Sequence, residues 1–354
     1  MTQTDLERRT SMQTETTEEL AIEVRDLVKR YPRSKVNAVD GISFSVRRGE
    51  IFGLLGPNGA GKTTTIGILT TSVLPTSGTV RIMGVDVVGD PIGVKQHISV
   101  VPQRSNLDQS LRAREILTFH AAYHGVPRAE REARAEALLK ELGLEGRGHE
   151  KIRRYSGGMA QRLMLARALM HSPDVLFLDE PTNSLDPQSR LFLWDRIRAM
   201  HERGVTILLT THDMEEAEQL CERIAIMDHG RILVLDTPDN LKKLVPGGTR
   251  LELRLRLPQK VEASRGDGAA SSGDLRALLE QLPGRPRVEE LPADDGQENH
   301  GTRSFRLYGE EAGELAVEAM RVVSASGAEL RDLHVARPSL EDVFIFLTGR
   351  NLRS

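Results

Sequence analysis

Lys62 and Thr63 sit in the run Gly56-Pro57-Asn58-Gly59-Ala60-Gly61-Lys62-Thr63-Thr64, which fits the phosphate-binding pattern G-x-x-x-x-G-K-[ST] without a mismatch. The apolar run Ile51–Leu55 precedes it as a buried strand, and the residues from Thr63 to Leu69 open a helix. A strand, a glycine turn and a helix N-terminus aim backbone N–H groups and the positive end of a helix dipole at one point. Glycine lets the backbone approach a phosphate closely. Lys62 would then reach the β- and γ-phosphates, and the Thr63 hydroxyl would bind Mg²⁺. A loop that merely turns would not need so long a pattern in this setting. The residues imply binding of a nucleoside triphosphate.

Further candidates lie downstream. Val175-Leu176-Phe177-Leu178-Asp179-Glu180 reads as a buried strand ending in carboxylates, the end at which open α/β sheets bind ligands. Asp179 is placed to hold Mg²⁺ and Glu180 to polarise a water for in-line attack on a γ-phosphate. Gln103 ends the strand that starts at Ile98 and could reach a metal or the attacking water, or be an ordinary strand-terminal amide. Ser156-Gly157-Gly158 opens a helix. A helix cap explains the serine, but not glycines in a first turn that they weaken. Ser184-Leu185-Asp186 occupies a turn before a helix over Gln188–Glu202, and His212 follows the strand Thr206–Thr210. Tyr31, in Lys29-Arg30-Tyr31-Pro32, reads on its own as a loop aromatic.

These groups must be held by a parallel core preceded by short strands (Leu20–Val28 and Gly41–Val46), which form an antiparallel sheet beside it. Thr79–Met83 is a further strand. From Leu111 to Leu142 apolar residues recur at helical spacing, broken at Gly125-Val126-Pro127: a helical insertion between pieces of the nucleotide core. The chain has 354 residues, a net charge of −3 and a pI near 6.4, so no basic excess implies nucleic acid as a partner. The sole cysteine, Cys221, excludes an internal disulfide, fits a reducing setting and reads as a packing thiol in a helical stretch. The polar stretch Met1–Glu19 has no apolar segment and is expected to be disordered. No segment reaches the roughly 18 apolar residues of a membrane span, so a membrane role would need another polypeptide.

In order, the phosphate loop, Gln103, Ser156-Gly157-Gly158, Asp179-Glu180, Ser184-Leu185-Asp186 and His212 resemble the ATP-binding cassette of ABC transporters, over roughly Leu20 to Leu244. The serine-glycine-glycine element is the most discriminating. The resemblance implies an α/β P-loop NTPase fold of the cassette type: a parallel core sheet, an antiparallel β subdomain and a helical subdomain. It implies that Tyr31 stacks on adenine and that Gln103 links the metal site to the membrane partner. Ser156 and Gly158 would contact ATP held by the opposite cassette, Asp186 would communicate across that dimer, and His212 would be the γ-phosphate switch. ATP and Mg²⁺ are the implied cofactors. A second copy of the chain, head to tail, and a separately encoded permease at the cytoplasmic face of the membrane are the implied partners. A groove between the Gln103 region and the helical insertion would receive a helix of the permease. Tyr155 and Met159 flank the Ser-Gly-Gly core where leucine and glutamine are usual, and Asn183-Ser184 stands where glycine is common. The first pair resembles the daunorubicin-type drug-resistance and ABC-2 exporter branch.

Beyond Pro246-Gly247-Gly248 the pattern changes. Leu251, Leu253, Leu255 and Leu257 alternate along one strand face. A helix over Asp274–Leu282, strands over Arg287–Leu291 and Ser304–Tyr308, a helix over Glu311–Val323 and a strand over Leu330–Val335 complete a β-α-β-β-α-β order, which suggests a small ferredoxin-like α+β domain. The polar stretches Glu262–Gly273 and Pro292–Thr302 read as long loops. Pro338–Arg350 is a capped apolar helix that packs on its own domain or joins two copies. The expected organisation is thus a tail (1–19), a cassette (20–245, helical insertion about 104–170) and an accessory domain (246–354). Non-transport ATPases of the family are the competing class. Those acting on ribosomes resemble two cassettes in one chain, and the DNA-repair type needs a long coiled coil that the interval Lys62–Ser156 cannot hold. A regulatory module without turnover is opposed by Asp179, Glu180 and His212 together.

Overall fold

A computed structural model of the protein describes residues 19–245, 249–256, 272–291, 302–309, 312–336 and 338–349. The expected disordered tail (apart from Glu19), Leu257 and nearly all of the two polar stretches lie outside the described residues. Between Pro238 and Asp239 the chain divides into two compact units, a few residues before the boundary expected from the sequence.

The first unit opens with β1 (Leu20–Lys29), β2 (Val39–Arg47) and β3 (Ile51–Leu55), followed by helix α1 (Lys62–Leu69) and strands β4 (Ser77–Ile82) and β5 (Val85–Asp86). Helix α2 (Pro91–His97), β6 (Ile98–Val101), helices α3 (Ala113–Tyr123), α4 (Arg128–Glu141) and α5 (Gly157–Leu169), and β7 (Val175–Asp179) come next. Helix α6 (Pro187–Glu202), β8 (Thr206–Thr211), α7 (Met214–Leu220) and the hairpin β9 (Arg223–Asp228) and β10 (Arg231–Asp236) complete it. An antiparallel sheet has the order β2-β1-β4-β5, and a second sheet the order β10-β9-β3-β8-β7-β6, parallel except for the edge strand β10.

Central position explains composition here. Every residue of β3, β7 and β8 is buried, so these strands are largely apolar runs; β7 turns polar only at Asp179, and β8 is polar at Thr206 and at Thr210-Thr211. Because β8 lies between β3 and β7, the loop after β3, the acids after β7 and the histidine after β8 emerge side by side. The helical insertion packs through Ile116 and Leu117 of α3, Leu138 and Leu139 of α4, and Leu163 to Ala166 of α5. Two local details differ from the sequence reading. The short helix α2 was not anticipated, although Asp90 caps it by accepting from Gly93 N at 2.8 Å and Pro91 starts it. Cys221 lies at the end of α7, not within a helix. Its sulfur fills the space beside Gly53, where an added Cβ would come within 2.7 Å of Sγ.

The second unit follows a short helix α8 (Pro238–Lys242) that straddles the division. It contains β11 (Thr249–Arg256), α9 (Ser272–Glu280), β12 (Arg287–Leu291), β13 (Thr302–Gly309), α10 (Ala312–Ala325), β14 (Glu329–Ala336) and α11 (Leu340–Thr348). All pairings are antiparallel, in the order β12-β13-β11-β14, which is the ferredoxin-like arrangement. Leu251, Leu253 and Leu255 form the buried face against α9 and α10. Helix α11 is boxed by Ser339 and Asp342 and buries Leu340, Val343 and Phe344.

Asp342 anchors that helix. Its buried carboxylate accepts from Tyr308 Oη at 2.7 Å, Arg250 Nη1 at 2.8 Å and Arg306 Nη1 at 3.3 Å. Burial works against the charged form, but the Ser339 N–H and hydroxyl, Tyr308 and Arg250 outweigh it and hold the carboxyl below its usual range. A lowered acid contributes stability that is present above its unfolded-state pKa and is lost as pH falls through the folded value. Asp342→Asn is expected to destabilise this unit by about 3 kcal/mol at pH 7, because Arg250 and Arg306 lose their buried counter-charge and keep only the partly exposed Glu252. Urea unfolding followed at both pH 7 and pH 3 checks it, with the parent–variant difference shrinking at the lower pH.

Candidate active site

The phosphate loop is fixed by two backbone approaches that no side chain could survive. A Cβ on Gly56 would lie 2.2 Å from Met227 O, and one on Gly61 would lie 2.4 Å from Ala38 O. Gly61 also has φ +104°, so it turns the chain into α1 in the left-handed region open to glycine. Within the loop Lys62 is buried, 4% exposed. Its Nζ donates to Gly56 O at 2.7 Å and Pro57 O at 3.1 Å, and lies 3.6 Å from Glu180 Oε1. Burial pulls the ammonium's pKa down, and Glu180 and then Asp179 oppose that shift.

Asp179, at the end of β7, accepts from Thr210 Oγ1 at 2.6 Å and Thr63 Oγ1 at 3.4 Å. Burial pushes its pKa up, the Thr210 bond opposes this, and the Glu180 charge adds to it. A buried carboxylate beside a hydroxyl is a hard-oxygen donor set, and a dication there would relieve the unfavourable burial. The residues therefore fit Mg²⁺.

Glu180 has φ +47°, an uncommon value for a residue with a Cβ. The strained turn is pinned by β8, since Glu180 N donates to both the backbone oxygen and the hydroxyl of Thr210 at 3.1 Å. It aims the carboxylate into a cluster. Oε2 accepts from Gln103 Nε2 at 2.8 Å and Asn183 Nδ2 at 3.1 Å, and His212 Nδ1 lies 3.4 Å away. A cavity of about 180 Å³, lined in part by Glu180, Asn183, Thr211 and His212, adjoins this carboxylate and has room for water.

The structure thus brings Lys62, Thr63, Asp179, Glu180, Gln103 and His212 together. Tyr31 stands at the rim, 41% exposed, with its hydroxyl 3.5 Å from Thr64 Oγ1 and Lys29 Nζ 5.1 Å from its ring centre. Pro57, Asn58, Gly59 and Ala60 complete the loop, with Ala60 N donating to Pro57 O at 3.2 Å. Ser156, Gly157 and Gly158 stand apart. Ser156 Oγ accepts from Met159 N at 3.3 Å as the cap of α5, and among the described residues no hydrogen bond joins this element to the phosphate loop. A Cβ at Gly157 would meet nothing, so nothing among the described residues demands glycine there. Asp186 caps α6 by accepting from Ser189 N at 3.0 Å, and Ser189 Oγ lies 3.0 Å from where a Gly158 Cβ would be. Helix start α6 and helix start α5 are therefore neighbours.

Sequence reading missed two participants, Thr210 and Asn183. The polar pair Thr210-Thr211 closing an aliphatic strand was the available signal for the first. Asn183, three residues after Glu180, was read only as a departure from the usual turn. Glu216, 1% exposed, was also missed. It accepts from Thr182 Oγ1 at 2.8 Å and Trp194 Nε1 at 3.2 Å, tying the turn after Glu180 to α6 and α7.

A glycine loop at the end of one parallel strand, with the acid pair two strands away and a neighbour strand between them, defines a P-loop nucleoside triphosphatase. Comparison with known proteins refines the class. Residues 39–183 match the family described as ABC transporter. The chain is 37% identical over 336 residues to the doxorubicin resistance ATP-binding protein DrrA of Mycobacterium tuberculosis, covering 94% of each chain. It is 39% identical over 333 residues to the Nod factor export ATP-binding protein I of Ralstonia nicotianae, covering 94% of this chain and 95% of that one. The solved ATP-binding subunit of an ABC transporter superposes with a TM-score of 0.59 at 32% identity, over 63% of this chain and 92% of that chain. A dimeric post-hydrolysis cassette bound to ADP and Pi gives 0.57 at 27% identity, over 61% and 98%. The chain belongs to the ABC transporter ATP-binding family. It binds ATP and hydrolyses it to drive transport. No helix of the described residues is long and apolar enough to cross a membrane.

Proposed function

We propose that the chain is the ATP-driven subunit of an ABC-2 type exporter, working as a head-to-tail pair of copies at the cytoplasmic face of the membrane beneath a separately encoded permease. Similarity over 94% of the chain to a relative named for doxorubicin resistance supports the exporter reading, since it includes the C-terminal unit as well as the cassette. The observation that carries the chemistry is the Glu180 carboxylate, fixed by Gln103, Asn183 and His212 and facing Lys62.

In this reading Glu180 takes a proton from a water in the adjoining cavity as that water attacks the γ-phosphate. Lys62 exchanges its bonds to the Gly56 and Pro57 carbonyls for phosphate oxygens, and the loop N–H groups hold the β-phosphate. His212, next to Glu180, donates to the γ-phosphate and couples its presence to α7. Thr63 and Asp179, with Gln103, would hold Mg²⁺, which would neutralise phosphate charge when bound. Tyr31 offers a face for adenine. Ser156, Gly157 and Gly158 serve the ATP bound by the other copy, which accounts for a glycine at 157 that its own surroundings do not require. Asp186, capping α6 beside Gly158, lies on the same face and carries the state of one site to the other. The strand end at Gln103 is the route by which the permease senses the site.

Two measurements test this. The Glu180→Gln variant with saturating Mg-ATP is expected to run as a dimer in size-exclusion chromatography, and as a monomer without nucleotide. Adding Ser156→Arg, which puts a bulky cation where the opposite ATP must dock, is expected to abolish that dimer while leaving ATP binding to the monomer intact. A Glu180→Gln variant that stays monomeric at millimolar ATP overturns the paired mechanism.

A further inference from the structure

Three histidines with no part in ATP hydrolysis converge in the helical insertion. His120 lies in the last turn of α3, His124 caps that helix's C-terminus one turn further on, and His171 follows the end of α5. Their ring centres are 4.6 Å apart for His120 and His124, 5.6 Å for His120 and His171, and 3.8 Å for His124 and His171. Each ring offers one nitrogen such that all three lie within 4.8 Å of one another. We infer that His120, His124 and His171 form a binding site for a divalent transition-metal ion, Zn²⁺ above all.

The unused nitrogens carry the argument. His171 Nε2 lies 3.0 Å from Ile98 O, and since a carbonyl only accepts, the proton sits on Nε2 and the lone pair on Nδ1. That Nδ1 is buried and has no hydrogen-bond partner, and so is His120 Nε2. Packing of neutral rings accounts for the stacked pair of His124 and His171, 9° from parallel. It does not account for buried nitrogens left without partners, each of which costs free energy that an apolar side chain in its place would avoid. The bond to Ile98 O is also the arrangement that orients a metal-bound imidazole, the second ring nitrogen being tied to a backbone carbonyl.

Protonation and charge select the ion. Burial pulls the His120 pKa down to about 3, with His124, Arg167 and His171 adding to the shift, and burial lowers His124 and His171 as well. With the His171 proton held by Ile98 O, the unpartnered nitrogens of His171 and His120 present lone pairs to a metal. No carboxylate belongs to the cluster, and the charges of Arg167 and Arg134 act on it. Hard ions such as Mg²⁺ or Ca²⁺, which need oxygen donors, are excluded by that environment. An ion held by strong bonds to imidazole is not. Ring nitrogens about 2.0–2.1 Å from a tetrahedral ion stand roughly 3.3 Å apart with their in-plane lone pairs converging, so binding requires His124 to rotate out of its stack on His171 and leaves a fourth position for water. The bound ion would clamp α3 to the end of α5 and, through Ile98, to the strand β6 that runs to Gln103.

The full-length protein, stripped with chelator, is titrated with Zn²⁺ against a chromophoric competitor, and separately with Co²⁺ for its visible spectrum. One equivalent bound at micromolar or lower Kd, a rise in Tm, and a Co²⁺ spectrum of four-coordinate intensity are expected. His124→Asn and His171→Asn, checked for unchanged circular dichroism, are each expected to weaken that site at least about tenfold and to abolish the Co²⁺ bands. His149→Asn, outside the cluster, should leave both readings unchanged. Absence of saturable binding at 100-fold excess Zn²⁺, or stoichiometric binding that survives both cluster variants, overturns the assignment. Because the readouts are metal affinity and Co²⁺ absorption, the result does not depend on the exporter reading.

Discussion

Glu180→Gln is expected to lower ATP turnover at least about 100-fold while leaving ATP affinity within about threefold. Loss of a general base costs roughly 10²–10⁴ in rate, so a 100-fold fall is about 2.7 kcal/mol of transition-state stabilisation. The geometry explains why the loss falls on the chemical step. The backbone of residue 180 is held in its strained turn by Thr210 rather than by its own side chain, so an amide at that position keeps the same direction. The amide oxygen can still face Lys62, and Gln103 can present its own oxygen to the new NH₂ group by a simple flip. What disappears is the capacity to take a proton. Phosphate release measured beside equilibrium binding of a fluorescent ATP analogue separates the two quantities. Turnover within threefold of the parent would remove Glu180 from the role of base and shift attention to His212, whose Nδ1 is 3.4 Å from the same carboxylate.

How much of this was legible beforehand depended on the range of each interaction. The phosphate loop could be read because its requirements are local: glycines where Met227 O and Ala38 O approach, a lysine at the helix start, a preceding buried strand. The acid pair was legible because β7 is apolar until its last residue. What surrounds Glu180 was harder to see. Thr210 and His212 reach it only because β8 is inserted between β3 and β7, and sheet order is not written in the periodicity of any one strand. Gln103 arrives from the end of β6 on the other side of β7 by the same tertiary arrangement; its strand-end position made it a candidate, and the family resemblance chose between that and an ordinary amide. The C-terminal unit was legible as alternation and helical spacing, since Leu251, Leu253 and Leu255 face one way; the anchoring of α11 by Asp342 to β11 and β13 was not. Helix α2 escaped because seven residues give too short a periodic signal, even with Asp90-Pro91 at its start. In the histidine cluster, the spacing of His120 and His124 was visible in sequence, but His171 joins them only through the packing of α3 on α5.

Lys62→Met should reduce ATP affinity at least about 100-fold and, less obviously, destabilise the nucleotide-free protein by about 3 kcal/mol. The second effect follows from where Lys62 sits before ATP arrives. Its ammonium is buried, bonds the Gly56 and Pro57 carbonyls and faces Glu180 Oε1 at 3.6 Å. Removing it leaves a buried carboxylate whose remaining neighbours are the amides of Gln103 and Asn183 and the ring of His212. It also strips the loop carbonyls of their donor, at about 1–3 kcal/mol for a buried acceptor left unsatisfied. The carboxylate part of this cost should be recovered when the charge itself is removed. Lys62→Met combined with Glu180→Gln is therefore expected to be more stable than the sum of the single changes predicts, by about 1 kcal/mol or more, while remaining inactive. Urea unfolding of the four proteins without nucleotide measures that coupling. A sum that is additive within about 0.5 kcal/mol would mean that Lys62 and Glu180 do not sense one another. Lys62 would then be held by the loop carbonyls alone, and the release of Glu180 from its cation as ATP binds could not form part of how the site becomes competent.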